Sequence, residues 1–334
     1  ALAAELSAVG WDVVCASRRP GRVTRLIDIM TTIWRERRRY SVAQIDLYSG
    51  AAFIWAEAAC WLLDRLHVPY VLTLHGGNLP VFGAKHRARV SRLLRRAVAV
   101  TTPSPFLREA MAPFRSDLIL QPNGIRTEQY PFRLRTAPKP RLLWVRAFHE
   151  IYNPAMAVRV VDQLRRDYPE VHLTLVGPDR EDGTRERTIE MTQQLGLEEH
   201  VEFRGAVPKA SLPRVFDEHD IFLNTSSVDN APVTVIEAMA GGLCVVSTSA
   251  GGIAQLVTDQ QDALLVRPGD ADAMSAAVRR LLTSVELASL LSTSGRENAV
   301  SRDWATVLPR WEEILSAAVS RGHSSRMLNP SRAA

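Results

Sequence analysis

The sequence predicts an α/β protein built from two Rossmann-like, doubly wound domains that face a cleft. Short β-branched runs alternate with longer amphipathic segments along the chain, which is the pattern of βαβ units on a parallel sheet. The pattern stops at a proline-rich, aperiodic stretch, residues 130–140, which reads as an interdomain linker, and then starts again. A length of 334 residues also corresponds to about two domains.

Composition and cysteine usage are those of an ordinary globular protein. Apolar residues make up 46% of the chain and charged residues 23%. The three cysteines are far apart and form no C-x-x-C pair, which argues against a disulfide framework and a zinc site and fits a reducing cytoplasm. The most apolar run, residues 51–63, is too short to span a membrane and contains Glu57, and no secretion signal is recognisable. We therefore expect a cytoplasmic protein that is soluble or peripheral.

The charge is unevenly distributed. Residues 1–136 contain 20 Lys and Arg against 10 Asp and Glu, a net +10, whereas the remainder contains 21 against 26, a net −5. A basic half indicates contact with something anionic, and the alternative is a solvated, arginine-rich surface. Composition leaves both interpretations open.

The first half contains five predicted strands separated by helices. The strands are residues 12–16, 44–48, 70–74, 97–102 and 117–121, and two of the helices are residues 22–38 and 51–66. Residues 1–16 read as the end of a helix, a glycine stop and a strand. Since a Rossmann-like unit normally begins with a strand and a glycine-rich turn, we expect the first strand of this domain to be missing. The alternative is a domain that begins with a helix.

The second half repeats the pattern. Predicted strands are residues 141–145, 171–177, 201–205, 220–224, 243–248 and 263–266, and predicted helices lie near 154–166, 185–195, 233–241 and 270–282. The predicted domains are residues 1–128, joined by a crossing helix at 303–320, and residues 137–302. A disordered tail is expected at 321–334.

Residues 225–253 contain the most informative pattern. Asp229 and Glu237 are eight positions apart, and Pro232 suits the first position of a helix between them. The amides at the start of this helix, with a hydroxyl beside them, suit a phosphate or diphosphate group; they belong to Val233, Thr234 and Val235. Glu237, one turn further, is placed to accept hydrogen bonds from ribose hydroxyls, as acidic residues do in Rossmann sites.

This segment resembles the signature of the large retaining glycosyltransferase family 4, whose fold is called GT-B. The family's hallmark is Glu-x7-Glu followed by Ala-Met-Ala, a glycine, a buried strand and Gly-Gly. Further motifs follow in the family's order, namely LHGGNLP (74–80), TTPSPF (101–106), QPNGI (121–125), LVGPD (175–179), VEFRG (201–205) and LLVRPGD (264–270). Trp304 and the helix after it resemble the family's C-terminal crossing helix.

The resemblance implies a hexosyltransferase-like enzyme that moves a sugar from a nucleoside-diphosphate sugar to an acceptor hydroxyl, with retention and without a metal or other cofactor. It gives catalytic roles to His75, Asp229 and Glu237, with Asp229 on the transferred sugar and Glu237 on the ribose. The implied donor-binding residues are Arg146, Asn230, Val233, Thr234, Val235, Gly76 and Asn123; Asn123 also suits a hinge. The expected acceptor is a glycan or a lipid-linked molecule in cell-surface polysaccharide or glycolipid synthesis.

Two residues depart from the family pattern. Asp229 stands where the family usually has Glu, and Ile151 stands at the position of an expected lysine, so donor preference is left open. Two other functions remain as alternatives, a sugar-nucleotide 2-epimerase of the same fold and a non-catalytic scaffold subunit. A nucleic-acid partner is not expected, because no recognised binding module is present.

The basic first half adds a membrane hypothesis. Residues 35–39 contain four arginines, and residues 85–97 form a cationic segment whose apolar positions gather on one side of a helix. This pattern is typical of a helix at an anionic membrane surface, such as the inner face of the cytoplasmic membrane. The alternative is that the apolar stripe packs against its own domain.

Overall fold

The computed structural model describes residues 1–17, 19 and 21–327. The chain divides into two compact units. Unit 1 consists of Ala1–Gly124 and the segment that begins at Trp304, and unit 2 is Ile125–Asp303. Residues 130–140, predicted as the interdomain linker, therefore belong to unit 2.

Unit 1 contains a parallel four-stranded sheet in the order β1-β2-β3-β4. The strands are β1 (Ala43–Leu47), β2 (Tyr70–Leu74), β3 (Ala99–Thr102) and β4 (Ile119–Leu120). The helices before β4 are α1 (Leu2–Ala8), α2 (Arg22–Arg35), α3 (Ala51–Arg65), α4 (Leu79–Lys85), α5 (Arg87–Arg96) and α6 (Pro105–Met111). Four of the five predicted strands are thus confirmed.

The prediction of a strand at residues 12–16, the first of the five, is wrong. These residues have no regular secondary structure. They form one wall of a cavity of about 1100 Å³, and β1 lies on another wall of the same cavity. Because a strand exists only where a neighbour accepts its hydrogen bonds, the β-branched residues of this segment do not make it one.

Unit 2 contains a parallel six-stranded sheet in the order β10-β9-β8-β5-β6-β7. Its strands, all predicted, are β5 (Arg141–Val145), β6 (His172–Val176), β7 (Val201–Gly205), β8 (Ile221–Asn224), β9 (Cys244–Thr248) and β10 (Leu264–Val266). The strands at the centre of this sheet are buried on both faces, which explains why they read as continuous apolar runs.

Helices separate the strands of unit 2 and bury its two hydrophobic clusters. They are α7 (Pro154–Leu164), α8 (Thr184–Gln194), α9 (Leu212–Asp217), α10 (Val233–Ala240), α11 (Ile253–Leu256), α12 (Ala271–Thr283) and α13 (Val285–Val300). Two of these helices, α12 and α13, begin with a capping side chain. That of Asp270 accepts from the Ala273 amide at 2.8 Å, and that of Ser284 from the Leu287 amide at 3.2 Å.

The last helix, α14 (Trp304–Met327), belongs to unit 1. It begins within one residue of the predicted crossing helix and continues past 320, where the tail was expected to start. Residues 328–334 of that predicted tail lie outside the described residues. Across the part of the chain that the structure describes, every helix is too short or too polar to cross a lipid bilayer.

A buried charge cluster fastens the first segment of unit 2 to its sheet. The Arg135 side chain is fully buried and donates to the carbonyl oxygen of His219 at 2.9 Å. The Asp220 carboxylate is also buried and forms ion pairs with three arginines. The nitrogen–oxygen distances are 2.8 Å to Arg133, 2.9 Å to Arg141 and 3.5 Å to Arg135. Burial and the neighbouring Arg133 lower the pKa of Arg135 to about 10, a shift that the Asp220 carboxylate opposes.

We predict that Asp220→Asn costs about 3–5 kcal/mol of unfolding free energy, because it leaves buried guanidinium charge without compensation. Asp217→Asn is the matched control. Asp217 is half exposed and lies 3.9 Å from the same Arg135, so its loss should cost less than about 1 kcal/mol. Urea denaturation of both variants measures the difference, and equal losses would contradict the importance of this cluster.

Candidate functional site

The order of the strands in unit 2 creates a crevice at the carboxyl end of its sheet. After β5 the chain adds β6 and β7 on one side and then returns to place β8 on the other side of β5. Ligands of open α/β sheets bind where the strand order reverses in this way. Two of the predicted site segments begin at this point, because Arg146 follows β5 directly and residues 225–230 follow β8.

Arg146 is largely buried and meets an acid and an aromatic ring. Its guanidinium forms an ion pair with Asp229 and lies 4.6 Å from the ring centre of Tyr152. Its Nε is buried and lacks a hydrogen-bond partner among the described residues. Burial lowers the pKa of Arg146, whereas the Tyr152 hydroxyl and the Glu237 carboxylate act in the opposite direction. Arg146 therefore holds an acid while keeping one donor for a ligand.

Asp229 is held in place from its own loop. Its carboxylate accepts from the Asn230 amide at 2.8 Å and lies 3.2 Å from the Ser226 hydroxyl. That hydroxyl is also 2.9 Å from Asn224 Oδ1. The carboxylate makes no capping bond to α10, whose N-cap is Pro232. Asp229 is thus oriented towards Arg146 before any ligand binds.

The paired glycines after β9, Gly251 and Gly252, lie in close backbone contact with the loop that contains Asp229 and Asn230. A Cβ atom at Gly251 would lie 2.1 Å from the carbonyl oxygen of Asp229, and one at Gly252 would lie 2.1 Å from that of Asn230. The backbone of Gly251 also has a φ of 57°, which disfavours residues with a side chain. The Asp229 loop can approach this strand end only because both residues are glycine. Asn230, a predicted donor-binding residue, is buried here.

The N-terminus of α10 offers fewer donors than the sequence predicts. Pro232 precedes the helix rather than opening it, and the Val235 amide already donates to the Pro232 carbonyl at 3.2 Å. The prediction of a free Val235 amide is therefore wrong. The first turn of the helix is closed by a bond to the third preceding residue, which already uses this amide. The Thr234 hydroxyl is buried without a hydrogen-bond partner in the described part of the chain. It remains, beside Val233, as a donor for a ligand.

Glu237 is more buried than its predicted place beside a ligand suggests, with only 4% of the residue exposed. The Tyr130 hydroxyl acts on its carboxylate and favours the ionised form. Burial raises the pKa of Glu237, and Tyr130, Lys209 and Arg146 each act to lower it. Arg146 thus lies within electrostatic reach of both acids. Tyr130 escaped sequence reasoning because nothing in the sequence distinguishes it from the proline-rich stretch around it.

Ile151, at the position of the expected lysine, carries no charge into this site. It is 38% exposed, and its carbonyl accepts from the Ser227 amide at 2.7 Å. Its role is thus to fix the loop after β8 through its backbone. Among residues 1–17, 19 and 21–327, no group of three His, Cys, Asp or Glu side chains could hold a metal ion.

The remaining predicted residues, His75, Gly76 and Asn123, belong to unit 1. His75 follows β2 directly, and its Nε2 lies 3.2 Å from Asp46 Oδ1. Gly76 has a φ of 89°, which turns the chain away from the strand. Asn123 is half-buried near the end of the unit's first segment. Asp46 was missed because a single acid within a predicted strand carries no motif.

Two family models match the chain. The model described as Glycosyltransferase Family 4 matches residues 1–129, and the model described as Glycosyl transferases group 1 matches residues 139–284. The chain belongs to glycosyltransferase family 4. The two models meet near the boundary between the two units, so each unit corresponds to one part of a family-4 enzyme.

Curated relatives of this family-4 chain include enzymes of glycolipid and polysaccharide synthesis. The GDP-mannose-dependent alpha-(1-6)-phosphatidylinositol monomannoside mannosyltransferase of Mycolicibacterium smegmatis is 31% identical over 48% of this chain and 44% of its own length. The glycogen synthase of Mycobacterium tuberculosis is 25% identical over 82% of this chain and 69% of its own length. The chain thus spans less than half of the first relative.

Solved structures share the GT-B fold of this family-4 chain at low identity. Anabaena HepE in complex with UDP-glucose has a TM-score of 0.77 at 20% identity and covers 93% of this chain and 88% of its own. Sucrose-phosphate synthase from Thermosynechococcus elongatus has a TM-score of 0.76 at 20% identity, with 99% and 92% covered. The predicted fold class is thereby confirmed.

We predict that Glu237→Gln stabilises the ligand-free protein at neutral pH. Because the pKa of Glu237 is raised on folding, the folded state binds more protons than the unfolded state between the two pKa values, and stability falls as pH rises through that window. The neutral amide removes this loss. Thermal unfolding from about pH 4 to pH 8 should show a variant advantage that grows with pH.

Tyr130→Phe is the matched control, because it removes a hydroxyl that favours the ionised carboxylate and should therefore act in the opposite direction. A pH-independent difference between Glu237→Gln and the wild type would contradict the burial argument.

Proposed function

We propose that the protein transfers a glycosyl group from a nucleoside-diphosphate sugar to an acceptor hydroxyl. The observation that carries this proposal is the meeting of Arg146 with Asp229, in electrostatic reach of Glu237, at the carboxyl end of the unit 2 sheet. A cation between two acids suits a ligand that has both phosphates and hydroxyls. Family membership supports the same reaction.

Different residues of the site would bind different parts of the donor. Arg146 Nε and the Thr234 hydroxyl, which find no hydrogen-bond partner among the residues that the structure describes, would hold the diphosphate, whose charge grows as the glycosidic bond breaks. Asp229 would accept hydrogen bonds from the transferred sugar, and Glu237 from the ribose. Asp229 is already oriented by its loop, so little rearrangement of this acid is needed on binding.

Two finer features of the reaction belong to this proposal. Retention of the anomeric configuration follows from the family resemblance, and NMR of the product's anomeric proton tests it. We also infer that no metal is needed, since a guanidinium and helix donors can stabilise the leaving diphosphate. Activity unchanged by a chelator supports this inference, and activity restored only by added Mg²⁺ contradicts it.

A panel of donor sugars separates this function from the two alternatives. Release of nucleoside diphosphate that depends on an acceptor indicates a transferase. Conversion of one nucleotide sugar into another without an acceptor indicates an epimerase. Binding of a donor with neither reaction indicates a scaffold subunit. Mass spectrometry of products from a mixed donor pool identifies the sugar and the glycan or lipid-linked acceptor.

We predict that Glu237→Ala weakens donor binding by about 1.5–3 kcal/mol, because it removes a charged hydrogen-bond acceptor. Isothermal titration with UDP and GDP sugars measures the change. Glu190→Ala, which removes an exposed glutamate on α8, is the control and should leave affinity unchanged. Unchanged affinity in the Glu237 variant would contradict its assignment to the ribose.

We further propose that the protein docks on an anionic membrane, at the cytoplasmic face, through unit 1. The predicted stripe of α5 does not supply the contact, because Val90, Leu93 and Leu94 are buried in the core of unit 1. Exposed aromatic residues lie instead on α2 and α3. Trp34 is 54% exposed and Trp61 is 51% exposed.

Each of these tryptophan rings has an arginine guanidinium in cation–π contact with it. The guanidinium of Arg37 lies 4.4 Å from the ring centre of Trp34, and that of Arg65 lies 5.0 Å from the ring centre of Trp61. Tryptophan beside arginine suits the headgroup region of an anionic leaflet, where rings enter the interface and the cations meet phosphates. Each arginine near the surface adds about 1 kcal/mol.

We predict that co-sedimentation with anionic vesicles falls steeply as salt rises. Replacing Trp34 and Trp61 by Ala should reduce binding more than replacing Arg92, Arg95 and Arg96 of α5 by Ser. Val285→Ala, at an exposed apolar position of unit 2, is the control. Equal binding to neutral vesicles, or none at low salt, would leave these residues as ordinary surface.

A further inference from the structure

Residues at the end of the neighbouring strand, β1, fix the position of the His75 imidazole. Its backbone amide donates to the Leu47 carbonyl at 2.8 Å, which extends the β1–β2 ladder by one residue. Asp46 and Tyr48 flank Leu47 and therefore project from the same face of the chain. Asp46 Oδ1 lies 3.2 Å from His75 Nε2, and the Tyr48 ring stacks on the imidazole at 5.4 Å and 20°.

Asp46 is itself fixed by a row of polar side chains across the sheet. Gln44 Nε2 donates to Asp46 Oδ1 and to the Thr73 hydroxyl, both at 2.8 Å. The Thr101 hydroxyl donates to that of Thr73 at 2.9 Å, which continues the row to β3. Burial alone would raise the pKa of Asp46, yet its pKa is lowered because His75 and Gln44 donate hydrogen bonds to it. The carboxylate is thus ionised and oriented at neutral pH.

The pairing determines which ring nitrogen carries the proton. An ionised carboxylate only accepts hydrogen bonds, so His75 Nε2 must be the protonated nitrogen in this contact. In the neutral ring the lone pair then lies on Nδ1. Across the described residues, Nδ1 has no hydrogen-bond partner in the protein, and 22% of the side chain is exposed.

We propose that Asp46 is a positioning residue that holds His75 as the Nε2–H tautomer, so that Nδ1 accepts a hydrogen bond from a substrate hydroxyl. This role rests on the proposed glycosyl transfer, for which the family resemblance gives His75 a catalytic role. Without Asp46 the ring exchanges between two tautomers and turns about its side-chain bonds, and only part of the molecules present the acceptor. The effect falls on the turnover step and leaves nucleotide binding in unit 2 unchanged.

Two variants separate the acceptor from the charge. Asp46→Ala removes both, whereas Asp46→Asn keeps an oxygen that can accept from Nε2–H. ¹⁵N NMR of the ligand-free protein, at a pH where the ring is neutral, should show Nε2–H in the wild type, a mixture in Asp46→Ala and largely Nε2–H in Asp46→Asn. Thermal unfolding establishes that each variant is folded, and exposed Glu109→Ala on α6 is the control.

Kinetics provides the second readout. We expect kcat to fall about 10- to 100-fold in Asp46→Ala, the loss expected for a charge-assisted hydrogen bond, with partial rescue in Asp46→Asn and unchanged affinity for UDP or GDP. An unchanged tautomer in Asp46→Ala, or equal loss in both variants, would overturn the proposal. If the wild type transfers no sugar, the proposed function fails, while the NMR experiment still determines whether Asp46 sets the tautomer.

Discussion

The pairing of β5 with β8 is the constraint on which the candidate site depends. Parallel strands that are adjacent in space but distant in sequence bring their carboxyl ends to the same edge of the sheet. Arg146 and the Asp229 loop meet because each follows one of these two strands directly. The buried cluster around Asp220 lies at the other end of β8, just before its first residue, so the same strand is fixed at both ends.

Sequence pattern predicted all six strands of the unit 2 sheet, together with α7, α8, α10 and α12, but not α9, α11 or α13. The strands were predicted because they are buried. The central strands contact helices on both faces, which demands continuous apolar runs such as 243–248 and makes them easy to recognise. Residues 12–16 show the limit of the same reasoning. Their composition is that of a strand, but strand formation also requires a partner's hydrogen bonds, and no sequence pattern reports those.

Sequence pattern pointed to the charged residues of the candidate site but not to the residues that lie beside them. Arg146, Asp229 and Glu237 sit in a recognisable motif, whereas Tyr130 and Asp46 are single residues more than twenty positions from the groups they hold. The Val235 amide was misjudged because one hydrogen bond in the first helical turn decides whether it is free. Long-range pairing and the geometry of a helix start both require coordinates.

The glycine pair at 251–252 has a consequence for related chains that have lost activity. Both glycines are required by the contact of one backbone with another, whether or not a donor ever binds. A pseudoenzyme descended from this family would therefore keep Gly251 and Gly252 for as long as it folds, while selection on Glu237, whose ionised carboxylate is destabilised by burial, would relax. The glycines therefore indicate ancestry and foldability, whereas a change at Glu237 would be the sign of a chain that no longer needs the proposed donor contact.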